Sequence, residues 1–92
     1  MKPEVTIYYC PKCGWLPRAT WLTQELLATF ESMVSGIKVC PSDTAGDFKI
    51  LVNEHLVFNR KTDGFPEPRE VKQRIRDMIN PDFSLGHSDR KK

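Results

Sequence analysis

A β-branched and aromatic run, Val5-Thr6-Ile7-Tyr8-Tyr9, ends at Cys10-Pro11-Lys12-Cys13 and is followed by a long amphipathic stretch. That order reads as strand, loop, helix. A chain that leaves a strand through a helix and returns to a second strand lays it parallel to the first, by a right-handed crossover. The two thiols therefore sit at the mouth of a strand–loop–helix unit. There they can close a small reversible disulfide ring or supply half of a zinc site. In a cytosolic strand–helix–strand setting the redox reading leads.

The rest of the chain extends this unit. Gly14-Trp15-Leu16 continues the loop, and Pro17 suits the first position of a helix, where its missing N–H costs nothing. Leu22, Leu26, Phe30 and Met33, with Ala19 and Leu27 alongside, define one apolar face of a helix expected to end near Ser35 and Gly36. Ile37-Lys38-Val39-Cys40 reads as a second strand closed by Pro41. Phe48, Ile50 and Val52 alternate as a third, and Leu56-Val57-Phe58 returns as a fourth after the tight connection Asn53-Glu54-His55. Asp63-Gly64-Phe65-Pro66 is turn chemistry. Pro66-Glu67-Pro68 opens a second helix with Val71, Ile75, Met78 and Ile79 on one face, and Pro81 ends it.

The expected fold is α/β: a thioredoxin-like β-α-β-β-β-α order with a four-stranded mixed sheet and two helices on one face. Strands one and two are expected at its centre. Residues 1–81 form one domain, and 82–92 form a C-terminal tail, mobile or laid over the surface.

A chain of 92 residues carries a single core. With 39% hydrophobic and 28% charged residues the composition is globular, and no apolar run reaches the roughly 20 residues a membrane span needs. Met1-Lys2-Pro3-Glu4 leads straight into a strand without the features of a secretory signal, so a cytoplasmic location is expected. The net charge of +2 is too small to argue for nucleic acid or a membrane surface. The positive excess lies along the last helix and in Arg90-Lys91-Lys92, where a solvated face and a chain end account for it.

Three cysteines in a reducing compartment do not make a permanent disulfide framework, so the close pair is expected to be catalytic, redox-sensing or metal-binding. Redox exchange needs an attacking thiolate, a resolving thiol and a loop that lets the sulfurs meet. Lys12 and Arg18 offer positive charge that lowers a thiol pKa. For zinc, Cys10 and Cys13 would combine with Cys40 and His55 in a Cys₃His set. No second CxxC accompanies the first, and His55 belongs to a hairpin tip expected at the far end of the sheet, so no metal is expected. Cys40 reads first as a small buried hydrophobe and second as a third redox thiol. Trp15 and Trp21, with Asp63, Gly64 and Phe65, are candidates for a client-binding surface beside the thiols. His55 and His87 read as turn and tail residues.

Tyr9-Cys10-x-x-Cys13-Gly14, with Pro17 opening a helix, resembles selenoprotein W and its bacterial Rdx relatives. The resemblance continues through Phe48-Lys49-Ile50-Leu51-Val52, Leu56-Val57-Phe58 and Lys61-Thr62-Asp63-Gly64-Phe65. From Pro66-Glu67 to Pro81, and through Ser84-Leu85-Gly86-His87-Ser88-Asp89, it is to the bacterial branch. It implies a thioredoxin-like fold and a thiol redox role without a bound cofactor, with glutathione or protein thiols as partners. Many animal members carry selenocysteine at the position of Cys13. That implies Cys13 attacks and Cys10 resolves, the reverse of the order in thioredoxin. A redox-dependent interaction module, switched by the same disulfide without turnover, is the competing reading.

Overall fold

Val5, Ile7 and Tyr9 alternate along the first strand and all three are buried in one core. Strand geometry sends successive side chains to opposite faces, so this alternation fixes which face of the sheet receives the helices. The computed structural model describes residues 2–86; His87 and Arg90-Lys91-Lys92 lie outside the described residues. The elements run β1 (Glu4–Tyr9), α1 (Leu16–Phe30), β2 (Gly36–Pro41), β3 (Phe48–Val52), β4 (His55–Asn59), α2 (Arg60–Asp63) and α3 (Pro68–Ile79).

The sheet order is β2-β1-β3-β4, with β1 parallel to β2 and antiparallel to β3, and β3 antiparallel to β4. This is the expected thioredoxin-like α/β fold with one correction. The parallel pair is not central: β1 and β3 hold the middle and β2 is an edge. The burial patterns give the reason. Phe48, Ile50 and Val52 of β3 are buried, whereas every residue of β2 is only partly buried or exposed.

Ala19, Leu22, Leu26 and Phe30 of α1 and Val71 and Ile75 of α3 join the same core as Phe48, Ile50, Val52 and Phe58. Both helices therefore cover one face. Phe30, Phe48 and Phe58 are among its largest fully buried side chains, each contributing roughly 1.5–3 kcal/mol by leaving water.

Four details depart from the sequence expectation. Helix α1 starts at Leu16, with Pro17 in its first turn, and ends at Phe30, five residues before Ser35. The Phe30 carbonyl accepts from the N–H groups of both Met33 (2.7 Å) and Val34 (3.1 Å), which tightens the chain into a turn that buries Val34. His55 is the first residue of β4 and pairs with Val52, so the hairpin turn is Asn53-Glu54 alone, with Asn53 at φ 55°. The segment after β4 contains a single helical turn, α2, beyond the two expected helices, which makes three helical elements among the described residues. Met78 is exposed, and only Val71, Ile75 and Ile79 of the expected face of α3 meet the core.

Phe83 and Leu85, from the segment expected to be a tail, pack against the core edge. The Arg76 guanidinium donates to the Phe83 carbonyl at 2.8 Å. No helix among the described residues is long and apolar enough to cross a membrane.

Candidate functional site

β1 delivers Cys10 at its buried end, and a four-residue turn carries the chain to Cys13. Gly14 adopts φ 75° and donates its N–H to the Pro11 carbonyl at 3.1 Å, closing the turn. A positive φ of this kind suits glycine. Cys10 and Cys13 are disulfide-bonded, with Cα atoms 5.3 Å apart, inside the usual bridging range. Their surroundings differ sharply. Cys10 is only 2% exposed, while Cys13 lies open to solvent.

Cys13 stands three residues before the first residue of α1. That helix begins without a side-chain cap and has no acidic residue in its first turn. Its positive N-terminal end is therefore unneutralised on the side facing the disulfide, though such fields fade within about a turn.

The loop between β2 and β3 forms the second wall of the site. Cys10, Pro11 and Lys12 face Ser42, Asp43, Thr44 and Ala45 across a cleft of about 340 Å³. The Ser42 N–H donates to the Tyr9 carbonyl at 2.8 Å, fastening this loop beside Cys10. Asp47 anchors the loop from beneath. It is 5% exposed, accepts from Ser42 Oγ at 2.7 Å, and pairs with Lys49 (3.4 Å) and Lys61 (3.3 Å). The Ser42 hydrogen bond, then those from Lys61 and Lys49, outweigh burial and hold its carboxyl below the ordinary range.

On the other side, Trp15 sits at the rim of the core with its ring edge-on to Phe48 (6.3 Å) and Phe65 (5.0 Å). Arg18 lies 4.5 Å from the Phe65 ring, and Arg60 lies 5.0 Å from Trp15 and 5.5 Å from Phe65. Arg60 also donates from Nε to the Gly46 carbonyl at 2.9 Å. Sequence reasoning passed over Arg60. Its signal was position, directly ahead of the Lys61-Thr62-Asp63-Gly64-Phe65 stretch.

Asp63, Gly64 and Phe65 divide their labour. Asp63 accepts from the Asn59 N–H at 3.1 Å and from Arg74 at 3.0 Å. Those two contacts hold its carboxyl below the ordinary range. Arg74 reaches further, to Glu70, to the Val57 carbonyl (3.0 Å) and to within 4.8 Å of the Phe58 ring. Burial works against its charge, but the Asp63 and Glu70 carboxylates prevail and raise its pKa. Val57 is the extra residue in β4 at a register shift between Ile50 and Leu51, so its carbonyl is turned to Arg74. Asp63 thus braces the turn, Gly64 passes through φ 82°, ψ −170°, and Phe65 is presented at the surface, 42% exposed.

The structure gathers Cys10, Cys13, Lys12, Trp15, Arg18 and Phe65 around one end of the sheet. Trp21 joins them through a groove shared with Arg18, Phe65 and Pro66. Arg18 is engaged with Phe65, and Lys12 borders the Cys10 cleft. Cys40 is a free thiol level with Tyr8. Ile37 and Val39 meet the core, so Cys40 takes the opposite, helix-free face of the sheet. His55 is level with Val52 and Val5, at the far end of the sheet from Cys10. The four residues weighed as zinc ligands are therefore not brought together. No cluster of three or more metal-ligating side chains occurs among the described residues.

A thioredoxin-like sheet with a Cys-x-x-Cys disulfide leading into its first helix defines the class. The sequence matches the Rdx family over residues 4–77, and the chain belongs to that family. It is similar to a selenoprotein W-related protein from Vibrio cholerae, with 43% identity and a TM-score of 0.81, over 87% of this chain and all of that one. It is also similar to a Bordetella parapertussis protein of known crystal structure, with 41% identity and a TM-score of 0.82, over 86% of this chain and all of that one. Comparison with curated proteins gives no match.

Proposed function

We infer that the protein is a thiol–disulfide exchange protein in which Cys13 attacks and Cys10 resolves. The single observation that carries this reading is the contrast between an open Cys13 and a Cys10 that is 2% exposed, joined in one disulfide. An attacking thiolate has to reach an outside sulfur, while a resolving thiol only has to reach its neighbour.

In the dithiol form, the Cys13 thiolate attacks a partner disulfide. One partner sulfur leaves as a thiolate and the other is held in a mixed disulfide. Cys10, giving up its proton, then attacks Cys13 Sγ, releases the second partner thiol and closes the ring. The partner is reduced by two electrons and the Cys10–Cys13 pair is oxidised by two. Two glutathione thiols reverse the change: the first opens the ring at Cys13, and the second removes the first as glutathione disulfide. The open N-terminal end of α1 and the Lys12 ammonium favour thiolate near this turn. Glutathione and protein thiols are the partner classes, in a reducing compartment such as the cytoplasm.

The test is intact-mass analysis with thiol labelling across a glutathione redox titration. The reading expects a single two-electron transition that shifts both Cys10 and Cys13. Labelling of Cys13 without a linked change at Cys10 would refute it.

A further inference from the structure

We propose that Arg18, Arg60, Phe65 and Trp21 form a docking subsite for an acidic peptide segment flanking the reactive cysteine of a protein partner. The purpose of this subsite rests on the exchange reading above, whereas its binding does not.

The charges are the first observation. Lys38, Lys49, Lys61, Lys72, Arg74 and Arg76 all pair with carboxylates. Arg18 and Arg60 have no carboxylate partner among the described residues, yet both converge on the ring of Phe65. Their guanidinium carbons lie 4.5 and 5.5 Å from that ring centre, which bounds their separation at about 10 Å. A guanidinium stacked on an aromatic face keeps its in-plane N–H fork free for a planar carboxylate. Arg60 commits Nε to Gly46 and retains its terminal amino groups.

The shape is the second observation. Trp21 is 51% exposed and Phe65 42%, and with Arg18, Leu22, Phe48 and Pro66 they line a groove of only about 30 Å³. Small-molecule sites are on the order of ten times larger. This one admits the tip of a single apolar side chain, with cationic groups at its rim. An oligonucleotide would need more than two cations, and the chain's net charge of +2 offers no wider basic field.

Position is the third. Trp15 follows Cys13 by two residues, and its ring meets both Phe65 and Arg60. Trp15 thus links the turn that carries Cys13 to the cluster, so a segment flanking a sulfur held at Cys13 runs toward it.

Both tryptophans of the chain, Trp15 and Trp21, lie at this subsite, so their emission reports on it directly. The experiment titrates the oxidised full-length protein with cysteine-free peptides. One carries Asp and Glu around a central Leu, and its counterpart carries Lys at the same positions. The acidic peptide should change emission saturably and the basic one should not. Arg18→Gln should weaken acidic-peptide binding about tenfold, as loss of one charge-assisted contact implies. Lys38→Gln, on the helix-free face, should leave it unchanged. Equal response to both peptides, equal effects of the two substitutions, or preferential capture of a single-stranded oligonucleotide would overturn the proposal. Because the peptides carry no thiol and the ring stays closed, failure here is separate from failure of the exchange reading.

Discussion

Ser42 Oγ donates a 2.7 Å hydrogen bond to Asp47, while the Ser42 backbone N–H holds the Tyr9 carbonyl next to Cys10. One residue thus ties a buried carboxylate to the redox turn. The Asp47 pKa is depressed in the fold, first by Ser42. A depressed carboxylate contributes stability that is present above its unfolded pKa, about 3.9, and is lost as pH falls through the folded value. Ser42→Ala should cost about 1 kcal/mol at neutral pH, and the difference from the parent should shrink in acid. Denaturant unfolding at several pH values, with an NMR titration of Asp47, checks this. Identical acid limbs for the two proteins would show that Ser42 does not set the Asp47 charge.

The thiol order is decided by two variants. Cys10→Ser should accumulate a glutathione mixed disulfide on Cys13, because the group that would release it is gone. Cys13→Ser should react slowly with alkylating agents at neutral pH, its remaining site thiol being buried. Alkylation rates followed against pH separate the two. A lower pKa and faster reaction at Cys10 would reverse the assignment.

Gly64 occupies φ 82°, ψ −170°, a region essentially reserved for glycine. No atom stands within 4 Å of where a Cβ would lie, so a substitution there meets backbone strain rather than a clash. Gly64→Ala should destabilise the fold by about 1–3 kcal/mol and shift Phe65 away from Trp15. Thermal unfolding measures the first effect and tryptophan emission the second. A parent-like emission spectrum would show that Phe65 does not depend on this turn.

Cys40 lies level with Tyr8 but on the other face of the sheet from the core. Cys40→Ser should leave the midpoint of the redox titration in place. A displaced midpoint, or a bridge between Cys40 and Cys10 in the oxidised protein, would bring it into the cycle.

The local patterns were readable because each rests on periodicity or on a residue with one steric role. The alternation of Val5, Ile7 and Tyr9, the spacing of Leu22, Leu26 and Phe30, and Pro17 in the first helical turn all recur in the structure. Sheet order was not readable from that level. Placing β1 beside β3 depends on how much apolar surface each strand buries on both flanks, which is a property of the whole packed set. The site was half legible. The Cys-x-x-Cys pair and Phe65 stood out as motifs. The contact of Arg18 with Phe65 was not visible in the spacing, and Arg60 and Arg74 carried no motif at all. Long side chains reach partners far away in sequence, such as Val57 for Arg74, and spacing does not encode that reach.

The bridge spans three positions and begins and ends within a single turn. On one side the strands are already in register through Tyr9 and Pro41; on the other, α1 takes up its own hydrogen bonding at Leu16. Neither the strand pairing nor the hydrogen bonding of the helix runs through the sulfur–sulfur bond. The bridge therefore closes a short loop beside the sheet without tying distant parts of the fold together, like a latch mounted on a door frame rather than a beam in the wall.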